Sequence, residues 1–379
     1  MKILVWQWGR RGAGPRYAAD LAGGLRGLPG TEVFLSLSTG AEIMRGDDPP
    51  SCQLPVPTYA GYPSLLARLA RMPWLIGPLV RRLRAMNLDM ALCAMPAALD
   101  LMMVTALRRA GVPYVVVIHD ADPHPGDRPP LQALLQRRLV RRAAGLVALS
   151  GHVGARLRAQ GVIGPRALIV STLPPLTFGP PPAPPGSHAG ARLRLLSFGR
   201  LLPYKGLDLL ADALAMLGAR ADLEVRVVGS GPESKVLAAL RRLPGVTVEN
   251  RWVPEAEVGA LLGWADALVL PYREASQSGV ASAAVAAGRW VVATRVGGLS
   301  EQLGHETLAI MCEPNAASLA DGLCRLLEQA RAVPARVVAG DARQEWRNVA
   351  AQLVGQLQLP GSPSGLRLRE SVADAVVRT

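Results

Sequence analysis

Cysteine is scarce in this chain of 379 residues. Cys52, Cys93, Cys312 and Cys324 are scattered, with no CxxC pair and no histidine at metal-ligand spacing. That excludes a disulfide scaffold and a thiolate zinc site, and predicts four reduced, mostly buried thiols in a cytosolic compartment. Aromatic residues are only 4%, with no RNP-type pattern, and neither zinc-finger spacing nor a helix-turn-helix is present; no nucleic acid is expected as a partner. Long apolar runs are missing too. None reaches the roughly 18 residues of a membrane span, and the first, in MKILVWQWGRRGAG, is too short for a signal-peptide core. Histidine is rare, and no Ser/His/Asp or Cys/His constellation can be assembled; His152, His188 and His305 read as surface or loop residues.

Acidic residues are outnumbered, 29 Asp and Glu against 42 Lys and Arg, for a net charge of +13. The imbalance is local. Up to residue 170 there are 21 basic and 10 acidic residues, leaving 21 and 19 for the remainder, so the first part carries +11 and the rest +2. Such asymmetry suits an anionic partner, nucleic acid or the cytoplasmic leaflet of a membrane, and Arg stripes without stacking aromatics suit lipid better. Residues Ser64 to Met86, SLLARLARMPWLIGPLVRRLRAM, mix Leu, Ile, Val and Trp74 with Arg68, Arg71, Arg81, Arg82 and Arg84. An interfacial amphipathic element has this composition; so does a surface helix pair broken at Pro73 and Pro78 with its apolar face turned inward. Arg137, Arg138, Arg141 and Arg142 form a second basic set at helical spacing.

Half the residues are hydrophobic, so the chain folds, and its length suggests two domains. A short apolar strand, Lys2 to Gln7, meets a glycine-bearing loop and then a helix from Tyr17 to Gly27. Further strands are expected at Glu32–Leu37, Met90–Cys93, Tyr114–His119 and Gly145–Leu149, with helices between. Alternating strands and helices imply an α/β fold with parallel sheets covered on both faces. Residues 174–192 are Pro-rich and read as a linker between an N-terminal domain, 1–173, and a second α/β domain, 193–340. A last helix, 341–358, is expected to cross back to the first domain, and 359–379 reads as a loosely held tail. Two such units facing across a cleft would hold a ligand beyond the carboxyl ends of their strands.

Three stretches carry the chemistry. In SFGRLLPYKGLDLLADAL, Ser197 to Leu214, a strand empties into Gly199-Arg200, and Lys205-Gly206 open the next helix. Free N–H groups and the helix dipole favour an anion there, and the two cations supply charge-assisted bonds for a diphosphate. Gly229 and Gly231 end another strand, either for close approach of a base or ribose or simply for a tight turn. Glu274, Ser276, Gln277, Ser278, Gly279 and Val280 then lead into a helix of small residues, followed by a buried strand and Gly297-Gly298.

In this order and spacing, the elements resemble the C-terminal domain of the GT-B glycosyltransferases, the large retaining family called glycosyltransferase group 1 or family 4. The resemblance is closest over Leu193 to Ala330 and looser in the N-terminal half. It implies two Rossmann-like domains, a nucleotide-sugar donor bound mainly by the second, an acceptor bound mainly by the first, and neither cofactor nor required metal. Arg200 and Lys205 would stabilise the leaving diphosphate. His119, in the run His119-Asp120 with Asp122 and His124 to Gly126 following, resembles the family histidine that meets a donor-sugar hydroxyl or the acceptor; a satisfied strand-end histidine is the alternative. Gly12 and Gly14 lie where relatives approach donor phosphate or acceptor. The family's paired Glu is incomplete: the second position is Ala283, Glu274 stands one place before the first, and Gln277 to Val280 replace the usual Gly-Phe-Gly, as in a subgroup that binds sugar and phosphate through hydroxyl and backbone N–H groups.

The expected function is therefore transfer of a sugar from a nucleoside diphosphate to a saccharide or lipid-linked acceptor in bacterial polysaccharide assembly, with retention. Arg200, Lys205, His119 and Glu274 are the expected catalytic residues. Trp74, Arg81, Arg82, Arg84, Arg137 and Arg141 would face an anionic membrane, placing the protein at the inner face of the cytoplasmic membrane. A sugar-nucleotide epimerase of the same fold and a non-catalytic scaffold are the alternatives.

Overall fold

The structure is a computed structural model, and it describes residues 1–46, 48–122, 137–164, 166–179, 192–332, 341–358 and 367–368. The described residues up to Thr172, together with those from Arg343 onward, form one compact unit, and Leu173–Ala342 form the other. Each unit is a six-stranded sheet with helices, and every neighbouring strand pair in both sheets is parallel. Central strands buried along their whole length show that both sheet faces are covered.

The first unit runs β1 (Lys2–Gln7), α1 (Ala13–Arg26), β2 (Glu32–Leu37), α2 (Tyr62–Ala85), β3 (Met90–Cys93), α3 (Asp100–Ala110), β4 (Tyr114–Ile118), β5 (Gly145–Ala148), α4 (Gly151–Ala159) and β6 (Ala167–Val170). Its strand order is β2-β1-β3-β4-β5-β6, so the sequence direction reverses between β1 and β3. Trp6 and Trp8 fill the core, their indole N–H groups donating to Asp100 Oδ1 at 3.1 Å and Ser36 Oγ at 3.0 Å. The expected break in α2 does not occur: Pro73 and Pro78 both lie inside one continuous helix. The side chains of both prolines are exposed.

The second unit runs β7 (Leu193–Phe198), α5 (Leu207–Leu217), β8 (Leu223–Gly229), α6 (Lys235–Leu240), β9 (Val246–Asn250), α7 (Glu255–Trp264), β10 (Ala267–Leu270), α8 (Gly279–Ala286), β11 (Trp290–Thr294), α9 (Leu299–Leu303), β12 (Ala309–Cys312) and α10 (Ala316–Ala332). Its order, β12-β11-β10-β7-β8-β9, is the doubly wound arrangement, with the reversal between β7 and β10. After it, α11 (Ala342–Gln356) returns to the first unit. There Trp346 stacks edge-on against Tyr17 at 5.2 Å, and a Cβ on Gly24 of α1 would stand 2.4 Å from the Trp346 carbonyl, so only glycine allows this helix approach. Two residues of β13 (Leu357–Gln358) pair antiparallel with β14 (Arg367–Leu368).

Candidate active site

In an open parallel sheet the crevice for a ligand forms beyond the strand carboxyl ends, where the winding reverses. In the second unit that point lies at the ends of β7 and β10, where Gly199-Arg200 and Pro271-Tyr272 emerge. Glycine builds the turns there. Gly199 has φ +126°, and a Cβ on Gly229 would lie 1.6 Å from its carbonyl. A Cβ on Gly231 would likewise lie 2.3 Å from the Leu201 carbonyl, and Asn250 brackets Gly231 through its N–H and C=O at 3.1 Å each. The tight-turn account of Gly229 and Gly231 thus explains both residues through backbone packing, without a base or ribose. Gly206, φ +64°, caps α5 from a 3-10 turn at Pro203–Lys205, and a Cβ there would fall 1.8 Å from the Pro271 carbonyl.

These close approaches bring two cations onto two tyrosine rings. Arg200 donates from Nη2 to the Tyr204 hydroxyl at 2.6 Å, with its guanidinium carbon 5.6 Å from that ring's centroid. Lys205 Nζ stands 5.1 Å from the same centroid and 3.8 Å from the centroid of Tyr272. Arg200 is exposed, Lys205 half-buried, and both tyrosines are buried. The result is a localised positive charge at the switch point, fixed by stiff aromatic mounts.

The β10–α8 loop adds a helix N-terminus. Ser278 is the N-cap of α8, its Oγ accepting from Ala281 N at 3.2 Å. Gln302 holds the Ser278 backbone from both sides, accepting from its N–H at 2.9 Å and donating to its C=O at 3.0 Å. The buried Gln277 Oε1 has no hydrogen-bond partner, an acceptor positioned beside Gly279 and Val280. Ser276 is buried and Glu274 exposed. Ala283 is buried in the apolar cluster under α8, and that helix carries no carboxylate. Tyr204, Tyr272, Gln302 and Asn250 were not singled out by sequence; an aromatic next to Pro203 and another next to Pro271, at two strand ends, was the available signal.

In the first unit the reversal lies at the ends of β1 and β3. Gly12 is the N-cap of α1 at φ +80°, but Gly14, expected in the loop, sits inside the helix. It is buried there because a Cβ would press on Gln7 Nε2 at 2.8 Å and Met95 Sδ at 3.1 Å. His119 is buried at the end of β4, edge-on to Tyr17 at 4.9 Å, and its Nε2 lies 2.9 Å from the Ala94 carbonyl. A carbonyl only accepts, so Nε2 carries the proton, and any contact of His119 with a ligand would rest on Nδ1. Asp122 accepts from Arg156 Nε at 2.9 Å and Gln160 Nε2 at 2.7 Å. His124 to Gly126 and His188 lie outside the described residues.

The inward packing of α2 follows the surface-helix alternative, though without its break. Ile76, Leu79, Val80 and Leu83 are core residues, not surface ones. Tyr62 (73% exposed), Leu66 (61%) and Leu69 are exposed along one stripe of the N-terminal half of α2, Trp74 (75%) is exposed on another side of the helix, and Arg71, Arg81, Arg82 and Arg84 are exposed beyond them. Arg137, Arg138, Arg141 and Arg142 are exposed on a helical stretch whose Leu139 and Val140 are buried. Among the described residues no helix is long and apolar enough to cross a membrane, and no group of three His, Cys, Asp or Glu could hold a metal ion.

Two six-stranded parallel α/β units, one with a cationic switch point, make up a GT-B architecture. Residues 192–329 match the family described as glycosyl transferases group 1, and residues 12–173 match the glycosyl transferase 4-like domain. The chain belongs to the group 1, or family 4, GT-B glycosyltransferases. It is 28% identical to the 2-deoxystreptamine glucosyltransferase of Streptomyces kanamyceticus, over 64% of this chain and 67% of that protein. It is 29% identical to the D-inositol 3-phosphate glycosyltransferase of Jonesia denitrificans, over 54% of this chain and 55% of that protein, so the match spans about half of that relative. Anabaena HepE, solved in complex with UDP and glucose, shares the fold at TM-score 0.62 and 17% identity, covering 93% of this chain and 95% of HepE. The UDP-GlcNAc 2-epimerase of Neisseria meningitidis, bound to UDP-GlcNAc, shares it at 0.57 and 10%, covering 93% and 98%.

Proposed function

We propose that this protein transfers a sugar from a nucleoside diphosphate to an acceptor hydroxyl, with retention at the anomeric carbon and without a required metal ion. The observation that carries the reading is the pair Arg200 and Lys205, gathered on the Tyr204 ring beside the N-terminus of α8. As the bond from the anomeric carbon to the diphosphate breaks, negative charge grows on the departing phosphate oxygen. Preorganised cations and helix N–H groups stabilise that charge, the role a divalent ion plays in metal-dependent enzymes. The acceptor oxygen bonds to the anomeric carbon on the face the diphosphate leaves, and its proton passes to the departing phosphate. Gln277 and Ser276 contact donor hydroxyls, and Glu274 lines the reacting sugar.

The acceptor is a lipid-linked saccharide of bacterial polysaccharide assembly, met by the first unit at the anionic cytoplasmic face of the membrane. The excess of +11 before residue 171 and the exposed apolar residues and arginines of α2 support this. The test incubates the chain with labelled UDP- and GDP-sugars and a membrane extract in EDTA. Label is expected in the lipid-extractable fraction, and Lys205→Ala should lower turnover about 100-fold or more, as loss of an oxyanion donor does. Near-normal turnover by that variant overturns the site. Altered free donor with no transfer would favour the epimerase reading, which the shared fold keeps in view.

A further inference from the structure

The Lys205 ammonium ends a flexible four-carbon stem, and such a side chain alone does not hold one position. Its mount is Tyr272, only 2% exposed, whose ring centroid lies 3.8 Å from Nζ. Its backbone and its hydroxyl are both held. The Tyr272 carbonyl accepts from the buried Thr294 Oγ1 at 2.5 Å, and the next residue, Arg273, donates its N–H to the Tyr204 carbonyl at 2.8 Å. Arg273 also pairs with Asp208 in the first turn of α5. At its far end the Tyr272 hydroxyl lies 3.3 Å from Ser278 Oγ, the N-cap of α8, whose backbone Gln302 clamps. Gly206 completes the arrangement, because only a residue without Cβ lets the turn carrying Lys205 rest on the Pro271 carbonyl next to Tyr272.

We propose that Tyr272 is a positioning residue for diphosphate: its ring face holds the Lys205 ammonium while its hydroxyl ties that ammonium to the N-terminal turn of α8. One side chain thereby sets the spacing between the mobile cation and the helix N–H groups that receive the same diphosphate. Ala283 makes this spacing more consequential, since α8 offers no carboxylate to hold the nucleotide by another route. The inference rests on the donor site of the proposed function and adds the part that orders it.

The attraction of a cation to a ring is electrostatic, so it can be weakened without changing the ring's shape. Titration calorimetry with UDP, GDP and the matching nucleosides is run on the wild type, on Tyr272→Phe, and on variants carrying phenylalanines of increasing fluorination at 272. Tyr272→Phe, which removes the hydroxyl tether to Ser278 and keeps the ring face, should lower diphosphate affinity about threefold. Each added fluorine should then lower it, to roughly tenfold at full fluorination, with nucleoside affinity unchanged. In a Lys205→Met background the series should be flat, the coupling a purely structural ring would not show. A flat series in the wild-type background, or equal losses for nucleoside and diphosphate, overturns the inference alone. A wild type that binds none of the diphosphates overturns the donor site with it.

Discussion

Asp100 is the residue whose burial has a measurable consequence. It is 2% exposed at the start of α3, where Trp6 Nε1 donates to one carboxyl oxygen at 3.1 Å and Ala97 N and Cys93 Sγ to the other at 2.6 and 3.7 Å. Desolvation outweighs these donors and pushes its pKa from 3.8 up to about 7. The folded state therefore holds a proton that the unfolded state releases above pH 3.8. Stability from this group is fully present below that pH, falls as pH rises, and levels off above about 7, a cost on the order of 4 kcal/mol at neutral to alkaline pH. Denaturant titrations between pH 5 and 8 should show unfolding free energy declining in the wild type. Asp100→Asn should start lower, having lost one acceptor, and vary much less; equal slopes would refute the assignment. The cationic residues were legible because Gly-Arg and Lys-Gly frame a helix start in the sequence. Tyr272 was not, since its ring becomes a mount for Lys205 only once β7 and β10 lie side by side, and the contacts of Tyr204 with Arg200 and Lys205 depend on the local 3-10 turn.

At the scale of elements, the strands that hold the sheet centres were the easiest to read. Tyr114–Ile118 and Trp290–Thr294 are continuous apolar runs because both their faces are covered. The sequence reading missed β6 and β12. Both are four-residue edge strands, ALIV and AIMC, apolar runs too short and too little buried to stand out from a loop. Helix α2 shows the opposite failure, a breaker overruled by packing. Burying Ile76, Leu79, Val80 and Leu83 holds the helix together through Pro78, which leaves the Trp74 carbonyl without its helical N–H donor. Pro78→Ala restores an N–H to that carbonyl and removes the ring clash. It should raise stability by about 1–3 kcal/mol, less what the more flexible unfolded chain gains. Thermal unfolding checks this, and an unchanged or lower Tm would mean that the helix bend at Pro78 is itself required by the packing.

For the whole molecule, the proposed contact with an anionic bilayer would draw on two forces, and salt separates them. The excess of +11 before residue 171 is a long-range attraction that falls off beyond a Debye length of about 10 Å at 0.1 M salt. The exposed Tyr62, Leu66 and Trp74 act only on contact, by leaving water, and salt barely weakens them. Arg81 and Arg82 are exposed and free to meet phosphate, whereas Arg84 already donates to the Arg109 carbonyl at 2.8 Å. Neutralising Arg81 and Arg82 to Gln should therefore cost about 1 kcal/mol each, most of it at low salt. Leu66→Ser with Trp74→Ser should instead lower binding by a similar factor at every salt concentration. Sedimentation with phosphatidylethanolamine and phosphatidylglycerol vesicles, against phosphatidylcholine alone, measures both. If both pairs of substitutions leave binding to the anionic vesicles unchanged, this face of α2 is not where the protein meets a membrane, and the lipid-linked acceptor loses its structural support.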